Sequence, residues 1–153
     1  MAVPIHTAAQ LRTSVTEMLP LFERADDAST LRRARPDSWC AREILGHLID
    51  SACNNHRRFI VGQSRDTSRL DGYEQNAWVS RQRYADVPWR ELVSLWSAYN
   101  LHLAHVMTCV DETTIDRELA GPDGSPVTLR FIIDDYVVHL RHHLEQIRRL
   151  LDQ

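Results

Sequence analysis

Apolar residues at Leu92, Trp96, Tyr99, Leu103, Val106 and Val110 step by 4, 3, 4, 3 and 4 along the chain. That rhythm puts all six on one stripe of an α-helix. A strand cannot present it, because strand side chains alternate faces with a period of two. A stripe of this kind has to be covered, so the chain must fold as helices packed on helices. Three further segments carry related patterns. Leu11, Val15, Met18, Leu19 and Phe22 mark a first helix over about Thr7 to Ala25, with Pro20 expected to kink it by removing a donor and clashing one turn back. Ile44, Leu48, Ala52, Asn55 and Phe59 mark a second, from about Ala41 to Val61, closed by Gly62. With Cys40 as its N-cap, Glu43 falls at the third helical position and Trp39 stands opposite Ile44. This is the layout of a capping box with a hydrophobic staple, cysteine replacing the usual Ser or Thr.

The third helix, which carries the opening stripe, starts near Asp86-Val87-Pro88, an acidic cap followed by proline. The fourth starts after Thr128 and runs to about Leu151, with Asp134 and Asp135 toward its beginning and Arg148 and Arg149 near its end, as the helix dipole favours. Residues 63–87 read as polar and irregular around a short helix at 73–78. Gly121 to Pro126 is a strong turn signal and leaves room for a short β-hairpin before the last helix. The reading is a single all-α domain over residues 1–153, a four-helix bundle.

Composition excludes several functions. A net charge of -3 with no basic stripe argues against nucleic-acid binding. No apolar run approaches the roughly 20 residues that span a bilayer. Cys40, Cys53 and Cys109 form no CxxC and leave one thiol unpaired in any pairing, which points to reduced cysteines and a cytoplasmic location. Met1 to Thr7 lacks the basic and apolar regions of a secretory leader.

Chemistry concentrates in His139-Leu140-Arg141-His142-His143. Residues four apart on a helix share a face, with Cβ atoms roughly 5–6 Å apart, so His139 and His143 can converge on one ion. They continue the series Ile132, Tyr136, His139, His143, Gln146 and Leu150, and so interrupt a stripe read as facing the core. Imidazoles there cost desolvation energy unless their nitrogens are satisfied, and a metal would satisfy both. His47, flanked by Leu48 and one turn after Ile44, supplies a third imidazole from another inward face. Three imidazoles with open positions are the donor set of a reactive site, because structural zinc is closed by four protein ligands. The competing reading is histidines satisfied by hydrogen bonds. Asp135, four residues before His139, and Asp50 are candidates to orient the rings. Tyr73 and Trp78, on the irregular segment, are candidates to line a substrate pocket. His142 is offset from the metal face, His102 and His105 flank the third stripe, and His6 and His56 have no partner by spacing. No residue stands out as a general base.

The segment from Trp39 to Ser51 and the segment from Tyr136 to Ile147 resemble the second- and fourth-helix motifs of the DinB-like superfamily. Arg58-Phe59 and Tyr73 to Trp78 resemble its YfiT-type branch, described as candidate metal-dependent hydrolases and, in some members, bacillithiol S-transferases. The likeness runs from about Arg35 to Leu151. It implies an up-down-down-up bundle holding zinc or nickel through His47, His139 and His143, and a homodimer. The expected activity is metal-assisted activation of a low-molecular-weight thiol or of water against a small electrophilic substrate. A bundle that binds a metal or ligand without turnover, as a sensor or stress-related protein, is the alternative.

Overall fold

The computed structural model describes residues 3–152; Met1, Ala2 and Gln153 lie outside it, including the first residues of the stretch read for a leader. Four long helices form the body: α1 (Val3–Arg24), α3 (Ala41–Val61), α5 (Trp89–Thr108) and α6 (Leu129–Leu151). Between them lie α2 (Asp27–Thr30), α4 (Gln75–Gln82), a 3₁₀ turn (Tyr84–Asp86) and a hairpin of β1 (Glu118–Ala120) with β2 (Pro126–Thr128). The strands pair antiparallel, Leu119 opposite Val127.

Cross-helix contacts give the directions. Thr7 meets Asp134, Ser14 meets Arg141 and Met18 meets Arg148, so α1 and α6 run parallel. His56 meets Tyr99 and Gln63 meets Asp111, so α3 and α5 are parallel too. Phe22 near the end of α1 packs on Trp89 and Trp96 at the start of α5, and Phe59 near the end of α3 packs on Tyr136 early in α6. Those two pairs are antiparallel, and the topology is up-down-down-up.

The expected boundaries of α3 hold, and its start shows why. The Cys40 backbone N–H donates to the Glu43 carboxylate at 2.9 Å, half of the reciprocal box. Thr128 caps α6 by accepting from the Phe131 backbone N–H at 3.2 Å. Two expectations need correction. Pro88 is itself the cap of α5, with extended ψ, while Asp86 belongs to the preceding 3₁₀ turn. The core face of α6 is Leu129, Ile133, Tyr136, Val137, Leu140, Leu144, Ile147 and Leu150, so Tyr136 and Leu150 of the expected stripe are buried, whereas its Ile132, His139, His143 and Gln146 are half-buried along the edge. Helix α1 runs unbroken through Pro20, which sits on its exposed side where water can meet the freed carbonyl.

One glycine is required by close packing. A Cβ at Gly46 would lie 2.1 Å from Tyr84 Cδ2, so the Tyr84 ring wedges against the bare backbone of α3 beside His47. Its hydroxyl donates to Asp50 at 2.6 Å, and Gln82 Nε2 donates to the same oxygen at 2.7 Å. Arg42, also buried, hydrogen-bonds Thr30, Asp27 and the Ala85 and Val87 carbonyls, tying both linkers to α3.

Candidate metal centre

Antiparallel packing of α3 on α6 brings His47 opposite His139 and His143. The Nε2 of His139 lies 3.2 Å from that of His47 and 3.1 Å from that of His143. One potential ligand atom from each ring falls within 4.8 Å of the others, and among the described residues this is the group of three or more metal-ligating side chains so arranged. Two nitrogens each 2.0–2.1 Å from one ion, at a tetrahedral angle, stand about 3.3–3.4 Å apart. The observed separations come within a few tenths of an ångström of that value.

Hydrogen bonding alone does not satisfy the trio. A neutral imidazole has one N–H and one lone pair. His143 Nδ1 faces Gln146 Oε1 at 2.8 Å, which draws the proton of His143 outward and leaves its Nε2 lone pair pointing inward. His139 Nε2 then touches two ring nitrogens and has at most one proton to offer. Extra protons are excluded near neutral pH. Burial drives the His47 ring down to about 3, reinforced by His143 and His139. Burial likewise takes His139 down to about 4, with His143 and His142 adding to it. Burial lowers His143 as well, against the Gln146 hydrogen bond. Converging lone pairs without protons fit a cation. Nδ1 of His47 is buried without a hydrogen-bond partner among the described residues, and the ring lies 5.2 Å from the Trp39 ring, centroid to centroid.

The trio stands between two cavities. One, of about 610 Å³, has His139 in its wall together with Asn55, Arg58, Tyr73, Phe131 and Tyr136. The other, of about 510 Å³, has His143 in its wall together with Trp39, Ile44, Gln146 and Leu150. Both fall in the size range of small-molecule sites.

The remaining candidates land in different places. Tyr73 lines the larger cavity, and Trp78 packs edge-on against it, 5.3 Å between ring centroids, without lining that cavity. Asp135 lines the same cavity but is exposed and makes no hydrogen bond to His139 among the described residues. Asp50 turns to Tyr84 and Gln82 instead of His47; burial raises its pKa and those two hydrogen bonds oppose the rise. Gln146 takes the ring-orienting role foreseen for the aspartates. The spacing signal was present, since Gln146 is three residues after His143 and four after His142, whose Nε2 meets Gln146 Nε2 at 3.0 Å. His56 has partners that spacing did not foretell: its Nδ1 lies 3.2 Å from the Tyr99 hydroxyl, and its ring lies beside His102.

Known proteins share this arrangement of helices. A protein of Halalkalibacterium halodurans, named as a candidate metal-dependent hydrolase, is 24% identical over 142 residues, 93% of this chain and 82% of the relative. The similarly named YfiT of Bacillus subtilis is 29% identical over 119 residues, covering 76% of this chain and 66% of YfiT. The solved structure of YfiT, described as having an unusual four-helix bundle topology, superimposes with a TM-score of 0.80 at 20% identity, over 96% of this chain and 83% of that one. A mycothiol-dependent maleylpyruvate isomerase superimposes at 0.75 with 10% identity, over 93% of this chain and 59% of that one, so the likeness there is of fold. The family model of the DinB superfamily matches residues 10–147, nearly the whole bundle, and the chain belongs to that superfamily.

Proposed function

We propose that the protein is a metal-dependent enzyme in which His47, His139 and His143 hold one divalent cation, zinc or nickel, and that it transfers a low-molecular-weight thiol to a small electrophile. The observation that carries this reading is the His139 Nε2 at ligation spacing from both His47 Nε2 and His143 Nε2, one ligand atom of each ring lying within 4.8 Å of the others, with a cavity on the His139 side and another on the His143 side. A divalent cation there would make a thiolate, or a hydroxide, available near neutral pH. Two cavities suit two reactants, one for the thiol and one for the electrophile. In the transfer, sulfur bonds to the electrophilic carbon, the leaving group departs with its electron pair, and the thiol proton passes to solvent.

The chain's own groups hold and exclude. Gln146 fixes the His143 tautomer, Trp39 covers the His47 ring, and Tyr136, its hydroxyl donated to Asn100 at 2.6 Å, forms a dry wall. Activation of water would ask for a base, and the buried carboxylate nearest in sequence to His47, Asp50, is held by Tyr84 and Gln82. Thiol transfer needs no such base. Hydrolysis is the second reading, supported by the names of the relatives.

Protein purified without a histidine tag should carry about one equivalent of metal by elemental analysis. Loaded protein should join cellular thiols to a chloronitroaromatic acceptor, and His47→Ala should lose both metal and turnover. Metal-free protein that does not take up zinc or nickel would overturn the proposal. Stoichiometric metal with no turnover across thiols, esters and amides would favour the binding-protein alternative.

A further inference from the structure

Arg58 lines the larger cavity and forms no ion pair among the described residues. Its neighbour Arg57, 60% exposed, pairs with the Asp71 carboxylate at 2.8 Å. Arg58 receives from Asp71 only the backbone carbonyl, donating Nε–H at 3.2 Å and an Nη2–H at 2.8 Å, and its Nη1 reaches Asn55 Oδ1 at 3.4 Å. Both acceptors, the Asp71 carbonyl and the Asn55 amide, are neutral. A guanidinium has five N–H donors, so one on each terminal nitrogen is left without an acceptor among the described residues. Arg58 is half-buried, forms no ion pair there, and remains charged, as arginine does. The Asp71 carboxylate, paired with Arg57, acts on Arg58 only through space, so a partly desolvated charge whose hydrogen bonds all go to neutral acceptors is left as a binding group for an anion.

The cavity selects among anions. Leu70, Pro122, Val127, Phe131 and Ile132 give it apolar walls between Arg58 and His139. Arg58 is the only cation in its lining, while Asp123 and Asp135 stand in the same wall. Asp123 is turned into its own loop, accepting from the Ser125 N–H and hydroxyl at 2.9 Å each, and both aspartates are exposed. They leave room for one negative charge and disfavour a dianion. Along α3, Arg58 is eleven residues beyond His47, roughly 16 Å, and it shares the cavity wall with His139.

We propose that Arg58 anchors the carboxylate of an elongated, largely apolar monocarboxylate whose other end reaches the His47–His139–His143 centre. This names the substrate class for the metal-dependent reading and rests on it for the chemistry, though the anchor itself can be tested without turnover.

The probes are a homologous series of ω-phenylalkanoates and their primary amides, with binding followed by ligand-observed NMR on metal-loaded and on chelator-treated protein. The expected result is an acid preferred over its amide by roughly tenfold or more in both forms, the strength of a charge-assisted hydrogen bond. Arg58→Gln should erase the preference while leaving amide binding intact, Arg58→Lys should keep part of it, and Arg57→Gln should keep all of it. An arginine that merely latches the loop at Asp71 would move acid and amide together. Equal binding of acid and amide, no binding of either, or a preference that survives Arg58→Gln because the acid sits on the metal would each overturn the anchor. Failure of the metal-dependent reading would appear separately, as protein without metal that still prefers acids through Arg58.

Discussion

Replacing Gln146 with methionine should weaken metal binding while barely touching the fold. The side chain keeps its length, so packing at the edge of α6 stands, but the acceptor for His143 Nδ1–H is gone. The His143 ring can then carry its proton on Nε2, where the lone pair is needed. Removing a group that orients a ligand ring typically costs 10–100-fold in metal affinity, or roughly 1.4–2.7 kcal/mol. At saturating metal in the wild type, the same loss shows up as lost stabilisation. For a chain of this size about 1 kcal/mol moves the melting temperature by roughly 2–4 °C. The metal-induced rise should therefore shrink by roughly 3–10 °C, while the metal-free melting temperature falls by no more than one half-buried hydrogen bond allows, about 0.5–1.5 kcal/mol. Competition against a chromophoric chelator gives the affinity directly. Gln146→Glu, which keeps an acceptor and strengthens it, should bind at least as tightly as wild type. A methionine variant within threefold of wild-type affinity, or one that loses the same stability with and without metal, would refute the assignment of Gln146 to ring orientation.

Gly46→Ala should cost about 3 kcal/mol or more, beyond ordinary overpacking, because Tyr84 is pinned at its hydroxyl and cannot retreat from the new Cβ. In a Tyr84→Ala background the same change should be nearly neutral, and additive costs in urea titrations would refute the wedge. Asp50→Asn should gain on wild type as pH rises. Burial holds the Asp50 pKa above its ordinary 3.8, so its favourable contribution is present below that value and is lost as pH climbs through the raised one. Urea titrations at pH 4 and pH 7 should show the variant-minus-wild-type difference shifting toward the variant, and a constant difference would count against it. A homodimer is expected in solution, paired through the outer face of α6 where Phe131 is 61% and Val138 67% exposed. Sedimentation should give about twice the 17.7 kDa chain mass, with Val138→Glu returning it to one, and a wild-type monomer at micromolar concentration would remove the expectation.

What could be read from the sequence was local. Helix α3 announces itself through Cys40, Glu43 and the four-residue steps from Ile44, and α6 through Thr128, because caps and periodicity are decided within a few residues. The histidines were found for the same reason: an i, i+4 pair and one imidazole among leucines stand out in a linear chain. The offset seam of α6 has a physical cause. His139, His143 and Gln146 occupy regular steps along one edge, and a pattern of steps does not say which of two adjacent edges lies deeper. Which partner orients which ring was not readable, because Gln146, Asp135 and Asp50 all have suitable spacing and only the α3–α6 register tells them apart. The same holds for Arg42, an arginine buried between two linkers, and for Arg58, whose missing anion becomes visible only once Asp71 is seen to serve Arg57.

The irregular stretch between α3 and α5 follows from topology. Parallel neighbours cannot be joined by a short turn, so the chain after Gly62 must travel back the length of α3, roughly 31 Å, before α5 can begin. On that return Leu70 and Tyr73 become the wall of the larger cavity, and Tyr84 becomes the wedge against Gly46. A bundle of alternating helices with tight turns would have no such segment, and its centre would be closed by its own side chains. The crossover thus supplies what four helices alone lack: a lining of separate origin beside the three imidazoles, free to carry specificity for a ligand while α3 and α6 fix the nitrogens. On this argument, substitutions at Leu70 and Tyr73 should change which small molecules bind and leave metal affinity alone.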